Sequence, residues 1–154
     1  MSFNSIPEFS FSLINNRDPD TIKALKNALT THGFFTITDH GIDDDLLSAS
    51  YSMSKKFFEL EEATKNTYAH PEMGGARGYT PFGKETALGE TTPDMKEFWH
   101  HGPVTDDSFD TRITSNINVA ELPEFNSQFD GLFNDLNLLG MKVLSAIAVI
   151  LHKE

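Results

Sequence analysis

Six histidines share this chain with a large surplus of carboxylates, and twice they take the spacing of a metal-ligand pair. His70-Pro71-Glu72 and His152-Lys153-Glu154 both read His-x-Glu, and His100-His101 follows the first. Non-haem iron that activates O2 is held by two histidines and one carboxylate on one face, with the other positions open. His70, Glu72 and His100 or His101 are therefore a candidate set, and an independent metalloenzyme built on them is one reading of the chain. Two features weaken it. His70 to Glu72 sits in a Pro/Gly-rich stretch that offers ligands no rigid support, and no histidine follows His152, so both matches are read as coincidence. Adjacent strand residues point to opposite faces, so His100 and His101 are read as one packed and one exposed histidine. His40, between Asp39 and Gly41, is read as a turn histidine bonded to backbone. No catalytic residue and no metal ligand is assigned.

Arg77 and Tyr79 suggest a different chemistry. On a short strand near Gly78 to Phe82, period two would put both on one face, where they could hold a substrate carboxylate by charge-assisted hydrogen bonds. The bland alternative pairs Arg77 with Glu85 or Glu90 and leaves the Tyr79 hydroxyl in water. Gly74-Gly75-Ala76-Arg77-Gly78 has neither dinucleotide-binding spacing nor the lysine and serine of a phosphate loop. No nucleophile elbow is present.

The elements that must position these residues are bounded by composition. A chain of 154 residues with 38% apolar content and 13 Phe can bury one respectable core, roughly 70% of its unfolded surface at this size, so a single domain is expected. Twelve basic against 23 acidic residues give a net charge of -11, which repels a phosphate backbone and argues against nucleic acid. The acidic clusters at Asp43 to Asp45, Glu59 to Glu62 and Asp106 to Asp110 are read as helix starts and solvated faces. With no cysteine, thiolate catalysis, thiolate zinc and disulfides are excluded, which suits a reducing cytoplasm. The opening residues lack the basic and apolar regions of a secretory signal. The most apolar stretch, Met141 to Leu151, is too short to span a bilayer, so no membrane partner is expected.

Asp18-Pro19 starts a helix, since Asp accepts a backbone hydrogen bond at the N-cap and proline is preset for the first helical position. Ile22, Leu25, Ala28 and Leu29 give it an apolar stripe, and it should end near His32-Gly33. Phe34 to Thr38 follows as a strand, with Phe35 and Ile37 on one face. A second helix runs from Asp43-Asp44 through Met53, Phe57 and Leu60, and Phe35, Ile37, Met53 and Phe57 are expected to form one core. A short helix spans Glu61 to about Tyr68. Glycines and prolines then break the chain between His70 and Asp94, and Lys96 to His101 alternates as a strand. Pro123 to His152 keeps apolar residues three or four apart and becomes apolar nearly all round after Val143, so its end must be covered by something.

Read in order, Ile6-Pro7-Glu8-Phe9, Gly33 to Ile42 with its Asp39-His40-Gly41 turn, Phe57-Phe58-Glu59-Leu60, Glu62-x-x-Lys65, Gly78-Tyr79 and Asp94-Met95-Lys96-Glu97-Phe98 resemble the N-terminal half of the isopenicillin N synthase-like, Fe(II)/2-oxoglutarate-dependent dioxygenases. The resemblance implies an α+β fold in which helices pack on a few strands, the N-terminal part of a double-stranded β-helix (jelly-roll) oxygenase, ending in a long helix that supports the barrel. It implies a single non-haem dioxygenase N-terminal domain over 1–154, with the catalytic jelly-roll half outside this chain. The family's His-x-Asp, distal His and Arg-x-Ser are absent, so no metal or co-substrate residue carries over. This chain alone is then expected to be inactive and to bind neither Fe(II) nor 2-oxoglutarate, which are the cofactors implied for a complete enzyme oxidising a small molecule. Arg77 and Tyr79 carry over only as substrate-side residues. The expected partner is the missing jelly-roll half or a second copy of the chain. The alternative is a shortened, non-catalytic binding or dimerisation module of the same fold.

Overall fold

The computed structural model describes residues 5–86, 88–89, 91–106 and 113–152. In chain order the elements are β1 (Glu8–Ser10), α1 (Phe11–Asn15), α2 (Pro19–Thr31), β2 (Thr36–Thr38), α3 (Asp44–Phe58), α4 (Glu62–Asn66), a 3-10 turn (Pro71–Met73), β3 (Gly78–Thr80), β4 (Phe98–His100) and α5 (Phe125–Ile150). The fold is α+β, with helices on a few short strands and a long last helix. The chain divides into two compact units, Met1–Ile42 with Asp135–Glu154, and Asp43–Asn134.

In the first unit, Asp18 caps α2 as its type predicts. Its carboxylate accepts from the Thr21 backbone N–H at 2.9 Å and the Thr21 hydroxyl at 2.8 Å, and Pro19 occupies the first turn. Leu25 and Ala28 are buried on the apolar stripe. β1 and β2 pair in parallel, with Glu8 opposite Thr36 and Ser10 opposite Thr38. The His40 turn is as expected, with the Ile42 N–H donating to Nδ1 at 3.1 Å.

In the second unit, Asp43 caps α3 by accepting from the backbone N–H groups of Asp45 and Leu46. Lys55 and Lys56 suit the negative end of the dipole. The core is aromatic. Phe57, Tyr68, Tyr79, Val119 and Phe125 are buried, with Met53, Phe58, Trp99 and Phe129 packed against them. Phe57 lies at its centre and meets Tyr68, Tyr79, Trp99 and Phe125 at centroid distances of 4.8 to 6.2 Å, edge-on or tilted, the geometry aromatic quadrupoles favour. β3 and β4 are antiparallel, with Tyr79 opposite Trp99.

Two expectations need correction. Phe35 and Ile37 are not among the residues buried in or packed against the Phe57 cluster. Phe35 instead meets Phe9 edge-on at 5.7 Å, for the strand that pairs with β2 is β1, whose three residues are too few to show a period. The last helix has the length expected of it, but the membrane exclusion drawn from Met141 to Leu151 does not extend to the whole of it. By length and composition alone α5 could cross a membrane, a test that core helices of soluble proteins pass as well.

Candidate functional site

The candidate site lies in the second unit, where α4, β3 and the residue preceding β4 bring three polar side chains into the aromatic core. Lys65 reaches inward from α4. Its ammonium donates to Glu97 Oε2 at 2.7 Å and to the Phe58 carbonyl at 3.2 Å, and lies 5.6 Å from the Tyr79 ring centroid. Tyr79 Oη donates to the same Glu97 oxygen at 2.5 Å. The Lys65 and Glu97 side chains are 9% and 16% exposed, so this is a paired internal charge and not a surface bridge. Burial pushes the Glu97 carboxyl up, but hydrogen bonds from Lys65 and Tyr79 and the Lys65 charge outweigh it and hold the group below its usual range. Burial, and then the bond to Glu97, push the Tyr79 hydroxyl well above its ordinary value.

Arg77 is placed differently from the sequence expectation. The strand begins only at Gly78, whose backbone takes φ +80°, and a Cβ there would stand 2.6 Å from the Tyr68 carbonyl oxygen. Only glycine fits that close approach without a backbone shift. Arg77 therefore lies outside the strand that carries Tyr79, and the two side chains take different partners. Arg77 Nη1 donates to the Ala76 carbonyl at 2.6 Å, its Nε is buried without a partner, and its guanidinium covers the bare face of Gly102. Gly102 is held in turn by Asn116, which accepts from its N–H at 2.8 Å and donates to its carbonyl at 2.9 Å. Glu85 pairs with Lys96 at 3.0 Å rather than with Arg77, and Glu90 lies outside the described residues.

Beside these groups opens a cavity of roughly 330 Å³ lined by Ser54, Phe58, Glu97, Trp99, His101 and Phe129 among others. His101 Nε2 donates to Asp130 Oδ1 at 2.7 Å, while the exposed His100 stands 2.5 Å from the Gly75 carbonyl. One histidine is packed and one exposed, as alternation requires. His70 pairs with Glu72 at 2.9 Å. Lys65 and Glu97 were missed as site residues, although both lie in the segments that carry the family resemblance. Nothing in the local sequence tells that residues 32 apart form an internal ion pair.

This mixed fold, with short strand pairs, an aromatic core and a long closing helix, is that of the N-terminal part of a 2OG-Fe(II) oxygenase. A crystal structure from the 2OG-Fe(II) oxygenase family of Caulobacter crescentus superimposes with a TM-score of 0.83 at 38% identity, covering 97% of this chain and 50% of that one. A full-length Neurospora crassa protein crystallised in complex with alpha-KG gives 0.74 at 26% identity, covering 94% and 46%. The 2-oxoglutarate-dependent dioxygenase frbA of Dothideomycetidae sp. is 26% identical over 94% of this chain and 47% of its own length. Residues 6–121 match the family described as non-haem dioxygenase in morphine synthesis N-terminal, and the chain belongs to that family. It spans about half the length of the relatives it matches.

The family implies Fe(II) and 2-oxoglutarate, and the side chains described here do not supply a metal site. Among the described residues no three His, Cys, Asp or Glu side chains gather where they could hold an ion. His70, His100 and His101 each turn to a separate partner. No reaction step is therefore derived from them.

Proposed function

We propose that these residues form the N-terminal half of an Fe(II)/2-oxoglutarate-dependent oxygenase acting on a small molecule, with the metal and co-substrate residues supplied by a jelly-roll half outside 1–154. The observation that carries this reading is the match along 97% of this chain to only 50% of the Caulobacter crescentus oxygenase-family structure. In this reading the second unit contributes a wall of the substrate pocket. Arg77 lacks a carboxylate partner among the described residues, which leaves its guanidinium able to take a substrate carboxylate in two parallel hydrogen bonds. Tyr79 is committed to Glu97, so its share of recognition is to hold β3 in place and to present its ring.

The reading frame after codon 154 is the test. An open frame carrying His-x-Asp, a distal His and Arg-x-Ser is expected. A stop codon would overturn the proposal and favour a shortened binding or dimerisation module, for which the exposed Leu138, Met141 and Leu144 of α5 would be the association surface.

A further inference from the structure

Trp99 is the only tryptophan of the chain, and two of its three tyrosines lie in the same aromatic core, each donating its hydroxyl proton to a carboxylate. Tyr68 Oη donates to Glu121 Oε2 at 2.5 Å and accepts from the Ala120 N–H at 2.9 Å. Tyr79 Oη donates to Glu97. The Tyr68 and Trp99 rings are 6.2 Å apart between centroids, and Tyr79 stands opposite Trp99 across the β3–β4 pair. Trp99 also lines the open cavity, while its Nε1–H is buried without an acceptor.

These facts assign different redox roles to the three rings. An oxidised indole that can pass its N–H proton to no neighbour keeps its positive charge and remains a strong oxidant. A phenol is oxidised far more readily when a base takes its proton in the same step, because the phenol radical cation is a strong acid. Both tyrosines have such a base, but the bases differ. Glu97 already carries a hydrogen bond and the charge of Lys65 2.7 Å away, and protonating it would strand a buried ammonium without its counter-charge. Glu121 has no cation within salt-bridge distance among the described residues and lies at the surface, where it can hand the proton to water.

We propose that Trp99 and Tyr68 form a relay that passes an oxidising hole from the cavity wall to the Tyr68 ring while the proton leaves to Glu121 at the surface, and that Tyr79 is excluded from it by Lys65. A small diffusible one-electron oxidant entering the cavity takes one electron from Trp99 and is itself reduced. Tyr68 then returns an electron to Trp99 while its hydroxyl proton moves to Glu121. The net change is one oxidant reduced, one phenoxyl radical formed and one carboxylate protonated. The relay is a property of this chain's own side chains. For a half-enzyme of oxygen chemistry, as proposed above, it would reduce a stray oxidant at the cavity wall and leave the hole on a phenol in place of the indole.

The test is pulse radiolysis with azidyl radical as the oxidant, on the chain carrying Tyr51→Phe to remove the remaining, exposed tyrosine. The indolyl-radical absorbance should decay as phenoxyl absorbance rises, at a first-order rate independent of protein concentration and slower in D2O. Tyr68→Phe should abolish the rise and prolong the indolyl signal, and Tyr79→Phe should leave both unchanged. Glu121→Gln, which keeps an oxygen to accept from the Tyr68 hydroxyl but is a far weaker base, should slow the rise. Persistence of the rise in Tyr68→Phe, its loss in Tyr79→Phe, an unaltered rate in Glu121→Gln or a rate proportional to protein concentration would each overturn the relay. Because no outcome depends on iron or on turnover, failure here leaves the oxygenase reading standing.

Discussion

Glu97 is the residue on which the site's electrostatics turn. Its folded carboxyl lies below the usual carboxylate range, so the stability it contributes is complete above that range and is lost as pH falls through the depressed folded value. Glu97→Gln leaves the Lys65 ammonium buried without its counter-charge and should cost on the order of 3 kcal/mol at neutral pH. In urea titrations below about pH 4.5 the wild type and variant should converge; parallel curves across that range would mean the ion pair contributes nothing. Arg77 is tested by ligand affinity. In the protein that includes the catalytic half, Arg77→Ala should weaken substrate binding and leave 2-oxoglutarate affinity nearly unchanged, as read by calorimetry with each ligand. Equal losses for both would move Arg77 to the co-substrate, and no loss for either would leave it a packing residue over Gly102.

At the scale of the element, the two aromatic clusters predict unequal costs. Phe57 has no exposed surface, and Phe57→Ala should cost roughly 3 to 5 kcal/mol. Phe35 is half-buried beside Phe9, so Phe35→Ala should cost clearly less, and equal urea midpoints for the two variants would contradict this assignment of cores. The same contrast shows what the sequence could reveal. Asp18-Pro19 announced α2 because capping is decided by one residue and its next three neighbours. Asp43 announced α3 for the same reason, and β4 lay within the alternating Lys96 to His101. β1 left no signal, since three residues hold too little of a period and its partner lies 28 positions away in register. The Lys65–Glu97 pair was hidden likewise, for a long-range ion pair depends on the tertiary fold. The positive φ of Gly78 was invisible as well, and with it the start of β3 one residue after Arg77.

For the molecule as a whole, the question is what α5 meets. Apolarity alone points to the helix end after Val143, but Ile147 and Ile150 there are half-buried, whereas Leu138, Met141 and Leu144, three residues apart, are each about 60% exposed. A large side chain fully buried by a partner is worth roughly 1.5 to 3 kcal/mol, so these three give association a substantial driving force. The 154-residue chain alone should self-associate, and Leu138→Glu with Met141→Glu should raise its solubility and return it toward monomer in sedimentation velocity. A wild-type chain that sediments as a monomer at every concentration would refute this. The isolated chain should also fail to take up stoichiometric Fe(II) or to form succinate from 2-oxoglutarate, measured by equilibrium dialysis and by product assay. Iron uptake abolished by His70→Ala or Glu72→Ala would restore the independent metalloenzyme reading.

The guanidinium lying on Gly102 makes positions 77 and 102 inherit one another's fate. A methyl group at 102 would occupy the space that Arg77 fills, so Gly102→Ala evicts the arginine and its effect on ligand affinity should mimic Arg77→Ala. In an Arg77→Ser background the same change meets empty space and should be nearly silent, a strongly non-additive pair in a double-mutant cycle. A directed-evolution library that varies residue 102 alone will therefore find almost every substitution harmful. One that also varies residue 77 should accept changes at 102 wherever the arginine has been replaced by a smaller residue.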